Sequence, residues 1–444
     1  MKKVLLAFVL GALGFTLSSM VFSIQHATLI GLIVFLVTLW TNEGLPLGVV
    51  SLLPIILFPS FDILTTNATT ANYSKTIVFL FLGGFMLAIA TQKTDLHKII
   101  SNRLLKVFPN TPRGILFSLA ITSAFLSSLL SNTTTALLLI PIAMFLTDQS
   151  SLKLRFVLAI AYGASIGGII TPIGTPPNLI LLGFFEDNAI ESISFIKWIV
   201  LTAPLAMVML IIIPYILSLG VSHLILEKQI DASSTITGDQ QRLLWILGAL
   251  VIVLLFNSKI EPFYSGLGLN EKGILLAFGL LMFVPKIGFL TWEDTKKIPY
   301  EIIFLFGAGF SIAKAFSSTG LAEVIAQNLL SLSLLPPILL ILLVAAMITF
   351  TTEITSNTAL ISIALPIIYS LGQSSSIDTN LVIFVATICA SYAFMLPIAT
   401  PPNAIAMSSG VVRVKDMAKY GFFFNLIGIT AITIIALLYW QYYL

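Results

Sequence analysis

Pro172-Ile-Gly-Thr-Pro-Pro-Asn178 and Pro397-Ile-Ala-Thr-Pro-Pro-Asn403 are nearly the same heptapeptide, 225 residues apart. Each interrupts a long apolar stretch. Two adjacent prolines remove two backbone donors and break a helical ladder. Each copy therefore reads as a broken helix, with freed carbonyls near Gly174 and Ala399 and a new helix N-terminus downstream. Working outward, the same offset recurs twice more. Ser131-Asn132-Thr133, followed by Pro141-Ile142, returns as Ser356-Asn357-Thr358 followed by Pro366-Ile367. Phe79-Leu-Phe-Leu-Gly-Gly-Phe85 returns as Phe304-Leu-Phe-Gly-Ala-Gly-Phe310. A constant offset over three separated motifs marks an internal duplication, with repeat one over about 45–220 and repeat two over about 273–440.

Around these motifs the chain is apolar almost throughout. Its 444 residues are 58% hydrophobic and only 9% charged, with a mean hydropathy of +1.05; a soluble domain carries about 25% charged residues. Stretches of about 20 apolar residues, enough to cross a bilayer, recur from end to end. The longest polar stretch, Ser222 to Arg242, is too short to bury a core of its own. The pattern predicts an all-α integral membrane protein, a single membrane domain over 1–444 embedded in the lipid bilayer. About eleven transmembrane helices are expected, near 4–22, 27–41, 45–59, 76–92, 156–185, 197–220, 242–257, 273–290, 301–317, 381–408 and 420–440. Two re-entrant hairpins are expected near 113–147 and 335–371, each with a polar break that tolerates non-helical backbone only inside protein or a wet cavity. Met1–Met20 has the form of a signal peptide, with Lys2 and Lys3 before an apolar run. A first membrane helix is the preferred alternative, because no small-x-small cleavage site follows.

The basic residues orient this topology. With the N-terminus cytoplasmic, Lys93, Lys98, Arg103, Lys106, Arg113, Lys153, Arg155, Lys228, Arg242, Lys286, Lys296, Lys297, Arg413, Lys415 and Lys419 fall inside. Lys75, Lys197, Lys259 and Lys272 fall outside, as does the C-terminus. Full crossings by both hairpins would put Arg242, Lys286, Lys296 and Lys297 outside, so the bias favours hairpins. An odd number of crossings separates equivalent spans, which makes the two repeats inverted. Trp40, Trp198, Trp292 and Trp440 fall at expected span ends, where interface anchors sit.

Several functions are excluded by composition. The single cysteine, Cys389, allows no internal disulfide and no Cys-rich metal site. His26, His97 and His223 have no metal-ligand spacing. No basic cluster on a soluble face offers a nucleic-acid partner. No HExxH, Walker loop or GxSxG elbow is present, so the chain is not read as an enzyme. Inverted repeats with interrupted helices mark a transporter with its site at the repeat interface, although channels also carry them.

The motifs supply the chemistry. Ser-Asn-Thr at each hairpin tip can donate to a carboxylate and offer oxygens to a hard cation such as sodium. Simple helix capping is the competing role. Each Thr-Pro-Pro-Asn break leaves a half-helix N-terminus whose partial positive charge suits an anion; a plain kink is the alternative. Neither motif contains Lys or Arg. A dianion in an uncharged membrane cavity is costly, and co-bound sodium would neutralise it. Glu353 stands where the first repeat has Ser128. It could tune cation binding, titrate, or bond to free N–H groups of the hairpin. Asn178 and Asn403, inside the half-helices, are expected to tolerate replacement by Asp better than Asn132 and Asn357.

Together these residues resemble the divalent anion/sodium symporter family over nearly the whole chain. The match runs through Thr41-Asn-Glu-Gly-Leu-Pro46 with Leu53-Pro54, Phe79–Phe85, both tips, Ser318-Thr-Gly-Leu321 and both breaks. The resemblance implies a homodimer with scaffold and transport subdomains interleaved in sequence, moving as an elevator. It implies one sodium among Ser127, Ser131, Asn132 and Gly174, and another among Thr352, Thr355, Asn357 and Ala399. A small carboxylate anion would meet the two tips, at Ser131, Asn132, Thr133, Ser356, Asn357 and Thr358, with Thr175, Thr400 and Pro401 beside it. The first break has Gly174 where the second has Ala399, so the two cation sites need not be equal. The second tip continues Ala359-Leu360 where many relatives are richer in Thr. The function implied is sodium-coupled symport of a C4-dicarboxylate or citrate across the cell membrane. Sodium-independent exchange on the same fold and an anion channel are the alternatives.

Overall fold

A computed structural model describes residues 1–42, 44–221, 236–257, 264–328, 332 and 334–444. Glu43, His223, Lys228 and Lys259 lie outside the described residues. Seven of the described helices are long and apolar enough to cross a membrane, by length and composition: Ile24–Asn42, Thr66–Lys93, Ser150–Ile170, Phe195–Ser218, Gly238–Asn257, Tyr300–Thr319 and Val414–Tyr443. Lys2–Ser18 forms a helix packed on Ile24–Asn42. Gly11 and Gly31 let the two backbones meet, since a Cβ on Gly31 would sit 3.0 Å from the Gly11 carbonyl oxygen.

The 225-residue offset recurs in the helix order. Pro112–Ser127 and Asn132–Phe145 begin 225 residues before Pro337–Thr352 and Asn357–Gln373. Each of these helices except the last has 14 to 16 residues, so a 16-residue helix is about 24 Å long. That is short of a hydrocarbon core of about 30 Å, as a hairpin arm should be. Thr111 starts the first arm by accepting the Gly114 amide, with Pro112 at the first helical position. Ser150–Ile170 and Pro176–Asp187 flank the first break; Thr379–Ala390 and Pro401–Ser408 flank the second. The short helices Leu96–Leu105 and Leu321–Asn328 follow equivalent spans; hydropathy gave no reason to expect them.

Packing interlocks the halves. Pro401–Ser408 lies against Asn132–Phe145 and Ser150–Ile170, while Pro176–Asp187 lies against Asn357–Gln373 and Thr379–Ala390. The first hairpin meets its broken helix almost backbone to backbone. A Cβ on Gly167 would fall 2.2 Å from the Ala124 carbonyl oxygen, and one on Gly163 would fall 2.5 Å from that of Ala120. Small residues at this spacing permit close helix approach where lipid offers no hydrophobic drive. The Ser123 hydroxyl adds a 2.7 Å bond to the Ile160 carbonyl.

Two expectations change. Trp198 and Trp440 are fully buried in protein, not turned outward, and their indole N–H groups donate to Ile169 and Leu201 carbonyls at 3.0 and 2.7 Å. Trp40 is also buried, and Trp292 is exposed. The expected span 273–290 is helical only over Glu271–Leu281. The chain then folds back, with the Phe289 and Leu290 amides both donating to the Met282 carbonyl; Pro285 in the fold-back cannot continue a helix.

The long-range ion pairs among the described residues join Lys75 to Asp187, Lys272 to Glu186 at 2.7 Å and Lys93 to Asp294 at 2.5 Å. Burial pushes Asp294 up, but the Lys93 ammonium and the Thr291 amide and hydroxyl outweigh it and hold the carboxyl at about 2. The Gln240 side chain donates to the Thr94 carbonyl, and Arg242 donates to the Lys286 carbonyl.

Candidate transport site

The first tip is built from its cap. Ser131 Oγ accepts the Thr134 amide at 3.1 Å and lies 2.8 Å from Thr134 Oγ1, so Ser131 does cap the second arm. Ser127, at the end of the first arm, donates its hydroxyl to Asn132 Oδ1 at 2.5 Å. Asn132 lies over Gly168 in the broken helix. A Cβ on Gly168 would meet Asn132 Oδ1 at 2.9 Å, its Nδ2 at 3.1 Å and Thr175 Cβ at 3.3 Å. Ser127, Asn132 and Thr175 therefore converge on one point, and only glycine leaves room for them. Ser131 and Thr133 flank Asn132; Thr133 is half-buried and Ser131 is the cap.

The two breaks share a frame. The Asn178 side-chain amide donates to the Gly168 and Thr171 carbonyls at 3.1 and 2.9 Å. The Asn403 amide donates to the Ala393 and Leu396 carbonyls at 2.9 and 3.1 Å. Each partner lies 225 residues beyond its counterpart. The Gly174 amide closes on the Thr171 carbonyl and the Ala399 amide on the Leu396 carbonyl, both at 3.2 Å. Just before the paired prolines, the hydroxyls of Thr175 and Thr400 are buried without a hydrogen-bond partner. A buried polar group left unpaired costs about 1–3 kcal/mol. Both sit at half-helix N-termini, where a ligand would satisfy them and meet the positive end of the helix.

The second repeat is assembled differently. Asn357 Oδ1 accepts the Thr358 amide at 2.7 Å and the Thr358 hydroxyl at 3.1 Å, and Ser356 makes no side-chain cap bond. Thr355 donates to the Thr351 carbonyl. The contacts from this hairpin to its break come from the residues before the tip. Thr352 donates to the Ala390 carbonyl at 2.9 Å. The Glu353 carboxylate, 3% exposed, accepts the amides of Phe394, Met395 and Leu396 at 2.7, 2.9 and 3.0 Å and the Asn425 side-chain amide at 2.6 Å. Its backbone partners are amides of the break, not of the hairpin.

The breaks also differ in length. Helix continues to Ile170 in the first repeat but stops at Ala390 in the second. The residue types explain this. A Cβ on Gly174 would be 2.5 Å from the Gly168 carbonyl oxygen, and a Cβ on Gly168 would crowd Asn132. The second repeat carries Ala399 and Ala393 at these positions, and its chain is unwound from Ser391 onward. Pro401 opens the second half-helix and is exposed beside the buried Thr400.

The comparisons with known proteins agree with this architecture. Residues 32–390 match the family model described as "Citrate transporter". The chain is 32% identical over 469 residues to a sodium-dependent dicarboxylate transporter of Staphylococcus saprophyticus, covering 97% of this chain and 90% of that protein. It is 32% identical over 474 residues to the corresponding transporter of Staphylococcus aureus, covering 98% and 91%. Among solved structures, the Alcanivorax borkumensis YdaH transporter aligns with a TM-score of 0.57 at 13% identity, covering 83% of this chain and 86% of that one. The Neisseria gonorrhoeae MtrF efflux pump aligns with a TM-score of 0.59 at 12% identity, covering 84% and 83%. At such identities these two share the fold alone. The full-length match to the dicarboxylate transporters and the match to the citrate transporter model show that the chain belongs to the divalent anion/sodium symporter family of membrane transporters.

Proposed function

We propose that the protein is a secondary active transporter that couples uptake of a C4-dicarboxylate, or citrate, to sodium. The observation that carries this reading is the pairing of unsatisfied donors. Asn132 and Asn357 spend their side-chain oxygens on local bonds to Ser127 and Thr358, which leaves both NH₂ groups free to donate. Beside the breaks, Thr175 and Thr400 offer unpartnered hydroxyls. Such donors without a Lys or Arg suit a carboxylate whose charge arrives already matched by cations. Neutral oxygens at Ser127, Ser131, Asn132 and Gly174, and at Thr352, Thr355, Asn357 and Ala399, suit sodium, a hard cation that takes oxygen ligands. The relatives are named for sodium and dicarboxylate. Inverted repeats, an elevator motion and a homodimer complete the reading. Labelled succinate, citrate and sulfate are offered to proteoliposomes with and without an inward sodium gradient. Succinate or citrate accumulates only with the gradient; equal uptake without sodium would leave the exchanger, and uptake of sulfate alone would overturn the carboxylate assignment.

Orientation follows from the same reading, with the N-terminus cytoplasmic and the C-terminus external. Each long-range ion pair among the described residues joins groups assigned to one side: Lys75, Lys272, Glu186 and Asp187 outside, Lys93 and Asp294 inside. Cysteines at positions 153 and 296 react with an impermeant thiol reagent only from the cytoplasm, and one at 272 only from outside. External labelling at 296 would defeat this topology.

A further inference from the structure

The two repeats solve one problem by opposite means. In the first, the residues equivalent to 394 and 395 lie inside the Ser150–Ile170 helix, which satisfies their amides. The tie between hairpin and break runs from break to hairpin: the Thr171 hydroxyl donates to the Ser128 carbonyl at 2.6 Å. In the second, Leu396 replaces Thr171 and Glu353 replaces Ser128, and the side chain that reaches across is the hairpin's, accepting from amides of the break. Unwinding from Ser391 releases three consecutive amides into a buried site. The Glu353 carboxyl group accepts three amides and the Asn425 side chain together, with Phe394, Met395 and Asn425 at Oε1 and Leu396 at Oε2. Successive backbone N–H groups curled round an anion form a stable concavity.

The segment so held is the one that sets the second cation site. Leu396 receives Glu353 at its amide, and its carbonyl takes the Ala399 amide and the Asn403 side chain. The position of Ala399 thus follows from Glu353 through one residue. Glu353 also follows Thr352 directly and precedes Thr355 by two residues, and it has no ion-pair partner among the described residues.

We propose that Glu353 is the positioning residue of the second cation site: by gripping the amides of Phe394, Met395 and Leu396 it holds the break in its long, unwound form, and so sets the sodium affinity of that site. The proposal rests on the symport reading above. It assigns to Glu353 a role in sodium affinity, with Asn425 as its second hold.

The test is the sodium concentration giving half-maximal succinate uptake, measured for wild type, Glu353→Gln and Asn425→Ala at matched protein levels. Gln keeps one oxygen but turns an NH₂ group toward amides that are themselves donors. Half-saturating sodium rises about tenfold in Glu353→Gln and about threefold in Asn425→Ala, which removes one donor of four. Uptake at saturating sodium stays within about twofold of wild type in Asn425→Ala. A scaffold role alone would lower maximal uptake without moving half-saturation, and that result overturns the proposal. Should Glu353→Gln fail to accumulate in the membrane, the Asn425→Ala value decides by the same criterion. Wild-type uptake indifferent to sodium would overturn the symport reading and this inference with it. A sodium-dependent wild type with unshifted variants overturns this inference alone.

Discussion

Asn132→Asp and Asn357→Asp each reduce sodium-driven uptake at least about 100-fold, while the protein still accumulates in the membrane. The exchange is nearly isosteric and keeps the acceptor that each Asn uses locally. The new carboxylate at position 132 would still take the Ser127 hydroxyl, and the one at 357 would still take the Thr358 amide. Both positions are half-buried and neither NH₂ group donates to a described protein acceptor, so the fold loses no bond. What changes is the group left for the substrate. A donor becomes an anion facing a carboxylate, so one charge-assisted hydrogen bond is lost and a like-charge repulsion is added in a site of low dielectric. The lost hydrogen bond alone is worth about 1.5–3 kcal/mol. Sodium binding can survive, because an added carboxylate does not repel a cation. The measurement is uptake by each mutant at matched protein levels, with sodium-dependent thermal stabilisation as a check on folding. Wild-type uptake by both mutants would remove the hairpin tips from the site.

What the sequence disclosed was what repeats. The 225-residue offset located both tips and both breaks, because identical short motifs survive inspection without any structure. The hairpin arms then followed from length against bilayer thickness. Less legible was everything that depends on a partner far along the chain. Glu353 reaches amides 41 to 43 residues away, and those amides are free only because the second broken helix unwinds early. A signal for that unwinding does exist in the repeat alignment, where Gly168 and Gly174 become Ala393 and Ala399, two methyls that the first break has no space for. The burial of the tryptophans was illegible for a related reason. Trp198 and Trp440 stand at span ends along the chain, but the broken helix and the Thr379–Ala390 helix cover them, as the Trp198–Phe384 and Phe384–Trp440 edge contacts show. Span-end position describes one helix against lipid and says nothing about neighbours. The backward fold after Leu281 was masked by its own hydrophobicity, since Met282-Phe-Val reads as more membrane helix until Pro285 is weighed.

The same blindness to long-range partners reverses the expectation for Asn178 and Asn403, and their replacement by Asp is severe. From sequence they are polar residues one step past a proline pair, inside a helix that could turn them anywhere. In the structure both are fully buried, and each NH₂ group bridges two carbonyls of the break ten and seven residues upstream. Their side-chain oxygens have no partner, so the orientation of each amide is fixed by the two acceptors it must serve. An ionised Asp would bring a buried charge against two carbonyl oxygens and lose both donors. A protonated Asp has one hydrogen for two acceptors. Either way at least one buried carbonyl is left unpaired, at about 1–3 kcal/mol, with a larger cost for the charged form. The loss differs in kind from that at the tips. Asn132→Asp spares the fold and removes binding, whereas Asn178→Asp and Asn403→Asp loosen the breaks themselves and lower thermal stability and membrane accumulation along with uptake. Melting of the purified mutants in detergent, beside Asn132→Asp, separates the two. If Asn178→Asp and Asn403→Asp melt with wild type and transport normally, the amide bridges do not hold the breaks.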